Sequence, residues 1–428
     1  MLIVSIAFLV LLAMGMPVAF AIGISGALFF VQHPELPSTI PIQLTISQTQ
    51  NFALLAVPLF ILAGNFMNKS CITEQLLRLA TVIAGRLHGG LAQVSLAMAA
   101  LMGSVSGSCI ADAAMQTRML GSEMLKRGMS PGYAAGVLAF GSLLTPIIPP
   151  GIGFILYGSV GQVSIGRLFA AGILPAFMLW AALAVTIAIT ARRRGLEPER
   201  RTPVSLAEAG RAAWGGAWAI LFPVILIVGL RIGLFTPSEI GAFAVVYAVT
   251  VGLVAYRKLG RVSFGEALEG SLVDVGAVMF LIALSGIFGY GIVFERVPEV
   301  VSSAILGLTS DWRAVMALIV GMTLIAGCFV DGSVLIIMLT PIFLPLVREL
   351  GVDPVHFGLV FIVAATIGNF TPPVGAAMYA VCSILKAPVG AYTRESLPFL
   401  FAVAVVTVLL VFVPEIVLLV PDAIFGKD

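Results

Sequence analysis

Charge is what this sequence has least of. Charged residues make up 10% of its 428 positions, whereas hydrophobic residues make up 60% and the mean hydropathy is +1.11. Soluble domains carry roughly a quarter charged residues, so a soluble globular class is excluded. A membrane-crossing helix needs about 20 apolar residues, and this length with short loops predicts an all-α integral membrane protein of about ten or eleven spans.

Several signatures of soluble partners and of catalysis are also missing. The 23 Lys and Arg residues are scattered among loops and form no single basic stripe, which argues against nucleic-acid binding. No Walker-type phosphate loop, nucleophile elbow or cluster of metal ligands occurs, so neither an enzyme nor ATP hydrolysis is predicted. No Lys or Arg precedes Lys69, so we expect the first helix to be retained and not cleaved as a signal peptide. Four cysteines lie far apart, without metal-ligand spacing: Cys71, Cys109, Cys328 and Cys382.

A polar insertion, Gly-Ser-Val-Ser-Gly-Ser at residues 103–108, interrupts an otherwise apolar stretch. Glycine loosens a helix, and serine hydroxyls compete for its main-chain hydrogen bonds. Non-helical main chain at membrane depth is tolerated only where protein buries it or water reaches it. The pattern therefore predicts a re-entrant helical hairpin at about residues 91–118, whose tip offers carbonyl and hydroxyl oxygens to a small ligand.

The order of landmarks repeats in the second half of the chain, which indicates a duplication. We expect a first repeat over residues 1–191, a basic linker over 192–211 and a second repeat over 212–428. The second hairpin then covers about residues 314–346. Five landmarks recur with an offset of 220 to 225 residues, in the pairs Pro17 and Pro237, Gly64 and Gly286, Gly107 and Gly332, Pro131 and Pro354, and Pro149 and Pro372.

Loop charges indicate how the two repeats are oriented. Cytoplasmic loops carry the excess of Lys and Arg, so residues 192–211 and the basic segment 257–261 are predicted to lie inside. The loop at 32–51, which is equivalent to 257–261, has no basic residue and is predicted to lie outside. Equivalent loops on opposite faces predict an inverted repeat, an architecture typical of secondary transporters with a site at mid-membrane.

Proline-rich segments at residues 145–151 and 368–375 predict one broken helix in each repeat. Proline has no N–H group, so carbonyls one turn earlier lose their partners. Freed carbonyls with hydroxyl and amide oxygens suit a dehydrated Na⁺, and the N-termini of half-helices favour an anion. Each repeat would supply one cation site, made of a hairpin tip and a helix break. The alternative is that these residues only kink packed helices, but their recurrence in both halves favours binding.

Three charged residues lie close to the predicted hairpin tips. Asp331 could be a Na⁺ ligand, carry a proton or bond to the opposite hairpin; it could also be the N-cap of the second hairpin's second helix, which does not exclude ligation. Asp112 and Arg118 are six residues apart, and an internal salt bridge between them is favoured over contact with substrate. Arg118 is nevertheless kept as a candidate partner for a substrate carboxylate, because it is the one basic residue near the first tip.

Three motifs carry a resemblance to a known family. Gly-Ser-Val-Ser-Gly-Ser with a following Ala-Asp, then Pro-Ile-Ile-Pro-Pro, then Gly-Asn-Phe-Thr-Pro-Pro-Val-Gly look like the large membrane subunit of TRAP (tripartite ATP-independent periplasmic) transporters. The resemblance implies an elevator-type, Na⁺-coupled importer of organic acids, dicarboxylates or sugar acids, in the bacterial inner membrane. It also implies two protein partners: a periplasmic substrate-binding protein and a small four-helix membrane subunit, here on a separate polypeptide.

The resemblance also implies site residues, carried over by matching motif. The first Na⁺ site would use Ser104, Ser106, Ser108, Thr145, Pro146, Pro150 and Gly151. The second would use Gly327, Asp331, Gly332, Ser333, Gly368, Asn369, Thr371 and Gly375. The substrate would contact Ser106, Gly107, Ser333, Thr371 and Arg118.

Two other functions are compatible with part of this pattern. A stand-alone Na⁺/dicarboxylate symporter of the same inverted-hairpin design would need no periplasmic receptor. A channel or a passive membrane scaffold is a different class, and neither of these needs two matched cation sites.

Overall fold

The computed structural model describes residues 1–70, 72–200 and 202–426, and for Leu2, Ser104 and Pro237 only the main chain. No strand occurs in these residues. The helices, in chain order, are α1 Leu2–Ala13, α2 Val18–Gln32, α3 Ile40–Thr49, α4 Ala56–Lys69, α5 Ile72–Ala84, α6 Leu91–Ser106, α7 Cys109–Lys126, α8 Pro131–Ser142, α9 Ile152–Gly161, α10 Ile165–Arg193, α11 Leu206–Arg231, α12 Pro237–Thr250, α13 Arg261–Phe294, α14 Val297–Leu306, α15 Trp312–Gly327, α16 Gly332–Glu349, α17 Pro354–Gly368, α18 Ala376–Leu385, α19 Val389–Phe412 and α20 Pro414–Phe425.

Within the described ranges, seven helical segments are long and apolar enough to cross a membrane. They are Phe52–Lys69, Ile165–Arg193, Leu206–Arg231, Ser238–Ala255, Arg261–Phe294, Gly332–Glu349 and Val389–Phe412. Shorter apolar helices, among them α6, α9, α15, α17 and α18, account for the remaining hydrophobic stretches. The prediction of an all-α membrane protein is thereby confirmed, whereas the number of crossings and the elevator movement stay predictions.

Helices α6 and α7 form a hairpin whose turn consists of Gly107 and Ser108. Gly107 has a φ of +66°, in the left-handed region that glycine adopts without a steric cost. The Ser108 side chain then accepts a hydrogen bond from the Ala111 N–H and caps α7. Helix α7 continues past residue 118, where the predicted hairpin ends, to Lys126.

Helices α15 and α16 form the second hairpin, and residues 328–331 make its turn. Asp331 is the N-cap of α16, because its carboxylate accepts the Ser333 N–H at 2.9 Å. The hairpin runs from Trp312 to Glu349, a few residues beyond each predicted bound.

Two breaks separate collinear pairs of short helices. Helix α8 ends at Ser142 and α9 begins at Ile152, while α17 ends at Gly368 and α18 begins at Ala376. Helices α8 and α17 are buried almost throughout, and so is the first break, whereas Pro373 and Val374 of the second break are exposed. Each break contains one cis peptide bond before a proline, in Pro149-Pro150 and Pro372-Pro373.

The hairpins pack against both breaks in the same pattern. The first arm of each hairpin contacts the first half of the broken helix that follows it, in the pairs α6 with α8 and α15 with α17. The second arm contacts the second half of the other broken helix, in the pairs α7 with α18 and α16 with α9. Helices α6–α9 and α15–α18 are called the hairpin unit below. Beside it, α2 packs on α13, and α4 packs on α12 and α13; these four are called the scaffold helices.

Candidate functional site

A cavity of about 360 Å³ lies where the two hairpin tips meet the scaffold helices. The first tip contributes Ser106 and Ser108 to its wall, and the second tip contributes Asp331 and Ser333. Asn369 reaches the cavity from the second helix break. Polar side chains from both predicted cation sites therefore line one space, and Gly107 and Gly332 contribute main chain to it.

The first tip is organised around a buried carboxylate. Asp112 is 1% exposed, and its two oxygens accept hydrogen bonds from the hydroxyls of Ser106 at 2.6 Å and Thr145 at 2.8 Å. The three side chains join the hairpin tip to the first helix break. Sequence reasoning placed Ser106 and Thr145 in this site but missed Asp112, although a carboxylate one turn after a serine N-cap in an apolar helix is a usable signal.

The favoured salt bridge between Asp112 and Arg118 is wrong. Both Asp112 oxygens are occupied by hydroxyl donors, and Arg118 is an exposed residue of α7. Residues six apart on one helix are separated by about 120° around its axis and are not neighbours, since neighbours on a helix surface are three or four apart. Arg118 does not line the cavity, so its assignment as a substrate contact has no geometric support.

The first break closes around the hairpin tip through its main chain. Pro146 lines the cavity, and a Cβ on Gly107 would lie 3.5 Å from the Pro150 carbonyl oxygen. Gly151 has no room for a side chain, because a Cβ there would collide with the Pro146 carbonyl. Main-chain oxygens of this break therefore lie against the tip. The remaining predicted member, the side chain of Ser104, lies outside the described part of the structure.

The second tip combines a carboxylate with an amide. One oxygen of Asp331 caps α16, and the other accepts from the Asn369 Nδ2 at 3.4 Å. The same Asn369 nitrogen contacts the Cys109 Sγ of the first tip at 3.7 Å, so this amide touches both hairpins. The capping role predicted for Asp331 is thus observed, and its second oxygen faces the break. Gly332 lies against the Ala365 carbonyl, because a Cβ on Gly332 would be 3.1 Å from that oxygen.

Glycines let the hairpin arms approach the breaks at main-chain distance. A Cβ on Gly368 would collide with the main chain of Gly327, and one on Gly327 would lie 3.0 Å from the Gly368 Cα. The first repeat has a similar approach at Gly103, where a Cβ would lie 3.3 Å from the Thr145 Cα. Predicted site residues Gly327 and Gly368 are therefore contact points between helices.

Thr371 lies away from the cavity in which the predicted substrate contacts meet. Its hydroxyl donates to the Gly368 carbonyl at 3.0 Å and contacts the Cys328 Sγ at 3.1 Å. It lines a different, apolar cavity next to α19. Gly375 ties the same break to the second tip, since its N–H donates to the Cys328 carbonyl at 3.1 Å. Neither residue is placed to touch a substrate in the first cavity.

The scaffold wall of the cavity was missed in the sequence. Asn65 and Asn68 of α4 and Asp274 of α13 line it, and the Asn65 amide donates to Asp274 at 3.1 Å. Gly64 lies under the first tip, with the place of its Cβ 2.8 Å from the Val105 carbonyl oxygen. Polar side chains in otherwise apolar spans were the available signal.

Apolar and polar side chains share the lining of the cavity, and its charged members are acidic. Among the described residues, the carboxylates of Asp274 and Asp331 are its charged lining groups, and no Lys, Arg or His of that part of the chain lines it. No group of three or more His, Cys, Asp or Glu side chains suited to a metal ion occurs in the described ranges. Carboxylate, hydroxyl and amide oxygens suit a hard cation, while the N-termini of α7 and α16 present N–H groups that suit an anion.

Comparisons with known proteins agree with this architecture. Residues 5–416 match the family model described as "Tripartite ATP-independent periplasmic transporter, DctM component". The chain is 34% identical over 408 residues to the 2,3-diketo-L-gulonate TRAP transporter large permease protein YiaN of Escherichia coli, covering 95% of this chain and 96% of that protein. It is 33% identical over 405 residues to the C4-dicarboxylate TRAP transporter large permease protein DctM of Pseudomonas aeruginosa, covering 94% of each.

A solved structure shares the fold at low sequence identity. The YdaH transporter of Alcanivorax borkumensis superposes with a TM-score of 0.62 at 16% identity, over 86% of each chain. That likeness supports a membrane-transporter fold, and the sequence relatives supply the family. The chain belongs to the DctM component, or large permease, family of tripartite ATP-independent periplasmic transporters.

Proposed function

We propose that this chain is the membrane subunit of a secondary transporter that imports an organic acid across the bacterial inner membrane together with Na⁺. Its family consists of transporter permeases, and two relatives are named for 2,3-diketo-L-gulonate and for C4-dicarboxylates. These are small organic anions. A dicarboxylate or sugar acid is therefore the substrate class proposed here, carried without chemical change and thus without enzymatic activity.

The observation that carries Na⁺ coupling is the charge of the cavity. Asp274 and Asp331 line it, and no basic side chain joins them within residues 1–70, 72–200 and 202–426. A substrate carboxylate about 4 Å from Asp331 would be repelled by roughly 4 kcal/mol at an effective dielectric constant of about 20. The N-termini of α7 and α16 offset only part of this repulsion. A cation bound beside Asp331 removes it, so anion and cation are expected to bind together.

Each hairpin tip offers oxygen ligands for one such cation. At the first tip these are the Asp112 carboxylate, the Ser106 and Thr145 hydroxyls and the main-chain oxygens of the first break. At the second tip they are Asp331, the Asn369 amide oxygen and the main chain around Gly368. Unwound main-chain carbonyls at discontinuous helices are typical Na⁺ ligands in secondary transporters.

Alternating access would follow from movement of the hairpin unit against the scaffold helices, the elevator type of mechanism. The residues proposed for the two cation sites belong to the hairpin unit, whereas Asn65, Asn68 and Asp274 belong to the scaffold helices. We propose two protein partners, a periplasmic substrate-binding protein that delivers the acid and a small four-helix membrane subunit. The surrounding lipid is the bilayer of the inner membrane.

Uptake into proteoliposomes that contain this chain, the small subunit and the binding protein tests the proposal. Ser106→Ala and Asn369→Ala are each expected to raise the Na⁺ concentration for half-maximal uptake roughly tenfold, because each removes one polar partner of a cation site. Ser303→Ala is the matched control, since that serine is exposed and donates only within α14. It should leave the Na⁺ dependence unchanged.

Unchanged Na⁺ dependence in both site variants would contradict the assignment of the cation sites. Uptake that needs no Na⁺ gradient in the unsubstituted protein would contradict coupling itself. Full uptake by this chain without the binding protein would favour a stand-alone symporter over the proposed tripartite system.

A further inference from the structure

A second cavity, of about 320 Å³, lies farther along the seam between the hairpin unit and the scaffold helices. Helices α9 and α16 contribute to both cavities: Gly153 and Ile336 line the first, and Leu156 and Pro341 line the second. Helix α13 forms the facing wall of both. The two spaces are therefore consecutive compartments of one interface.

The two cavities lie at different heights along α13. On α13, Asp274 lines the first cavity and Ser285 lines the second. They are 11 residues apart, which is roughly 17 Å along a helix axis. The first cavity also lies towards the Lys69 end of α4, whereas Leu54, just before α4 begins, lines the second.

The scaffold walls of the two cavities are equivalent segments of the two repeats. Gly64 and Asn68 line the first cavity, and Gly286 and Tyr290 line the second. Gly286 follows Gly64 by 222 residues, and Tyr290 follows Asn68 by the same number. The same part of the duplicated unit therefore faces the hairpin unit twice, once at each height.

Only one of the two equivalent walls touches a hairpin tip. Gly64 lies under the first tip, with the place of its Cβ 2.8 Å from the Val105 carbonyl oxygen. Gly286 is covered instead by the side chain of Gln48, which a Cβ on Gly286 would strike. Gln48 belongs to α3 and is only partly buried, so its side chain can turn aside.

We propose that the second cavity is the position at which the hairpin unit binds the organic acid in the opposite access state. In that state the second tip lies on Gly286, as the first tip now lies on Gly64, and it displaces Gln48. The proposal rests on the proposed transport function and specifies the residues that the opposite state uses. Val330, related to Val105 by the offset of 225 residues that relates Gly107 and Gly332 at the two tips, is the residue whose main chain would reach Gly286.

Two matched glycine substitutions should shift the balance between the states in opposite directions. Gly64→Ala places a methyl group against main chain in the described state, so it disfavours that state. Gly286→Ala meets only a movable side chain in the described state, but it would meet main chain in the opposite one. Gly276→Ala is the control, because open space surrounds that position of α13.

Cys109 provides a reporter, because it lines the first cavity. In a protein that retains only this cysteine, a membrane-impermeant thiol reagent is applied from the side of the basic loops. Gly64→Ala is expected to slow labelling roughly fivefold, and Gly286→Ala should maintain or raise the rate while lowering uptake. Gly276→Ala should change neither quantity.

Cross-linking in a cysteine-free protein gives an independent measurement. The pair Asn68→Cys with Ser108→Cys faces the first cavity and should cross-link in the described state. The equivalent pair, Tyr290→Cys with Ser333→Cys, should cross-link in the opposite state and most readily with Gly64→Ala.

The outcomes separate this inference from the proposed function. Normal uptake without any cross-link between positions 290 and 333 would overturn the inference and leave the transport proposal standing. Labelling rates that move in the same direction in both glycine variants would also overturn it. Both cross-links forming in a complete system without Na⁺-dependent uptake would support the two positions and count against the proposed function.

Discussion

Asp112→Ala is expected to lower the free energy of unfolding by about 3 kcal/mol and the apparent Na⁺ affinity roughly a hundredfold. The carboxylate is buried and accepts hydrogen bonds from Ser106 and Thr145. Bonds to a charged group contribute about 1.5–3 kcal/mol each, and the alanine leaves two buried hydroxyls without that partner. Release of a buried charge offsets part of this loss, which is why the expected value is below the sum of the two bonds.

Thermal unfolding in detergent and Na⁺-dependent uptake measure the two effects separately. Glu123→Ala is the matched control, because the Glu123 side chain, on the same helix, is 45% exposed and its ion pairs with Lys126 and Arg127 lie at the surface. Its effect should stay within about 0.5 kcal/mol. Asp112→Asn keeps the shape and one acceptor oxygen, and its NH2 group can donate to the hydroxyl that loses its acceptor, so it should retain most of the stability but lose Na⁺ affinity. Wild-type Na⁺ affinity in Asp112→Asn would show that Asp112 supports the fold and binds no cation.

Local chemistry makes several features of the fold readable in the sequence. Composition alone identifies an all-α membrane protein, because few charges and long apolar stretches leave no other class. The turn at Gly107 and the cap at Ser108 depend only on a left-handed glycine and on a hydroxyl beside free N–H groups. The same holds for the cap formed by Asp331.

Partners that a turn or a distant helix brings together were harder to predict. Asp112 is six residues from Ser106 and six from Arg118, yet of these two residues it is Ser106 that forms a hydrogen bond with it. The hairpin turn folds Ser106 back over α7, whereas the continuous helix carries Arg118 to another face. The two residues have the same sequence separation from Asp112. The position of the hairpin turn determines which of them contacts the carboxylate.

The scaffold side of the cavity shows more clearly that contacts between distant helices cannot be predicted from the sequence alone. Asn65 and Asp274 are 209 positions apart, and their hydrogen bond depends on how α4 packs against α13. Neither residue belongs to a motif, and in an apolar helix a single polar side chain gives no indication of its partner. The repeat offset identified equivalent positions, but not which of the two walls a hairpin tip contacts.

Gly368→Ala is expected to reduce Na⁺-dependent uptake by up to about a hundredfold, since forcing a methyl group into main-chain contact costs about 1–3 kcal/mol or more. A Cβ on Gly368 would collide with the main chain of Gly327, so α15 must move away from the second break. That movement separates the Asp331 carboxylate from the Asn369 amide, which now lie 3.4 Å apart. The helix itself is not strained, because alanine is a better helix former than glycine.

A control substitution distinguishes the expected loss of uptake in Gly368→Ala from a general loss of folding. Gly321→Ala changes a glycine of α15 that has open space around it, so uptake should match that of the unsubstituted protein and thermal stability should not fall. In Gly368→Ala, we expect the Na⁺ concentration for half-maximal uptake to rise more than the midpoint of thermal unfolding falls. Equal Na⁺ dependence in the two variants would mean that the close approach of Gly327 and Gly368 does not hold the second cation site together.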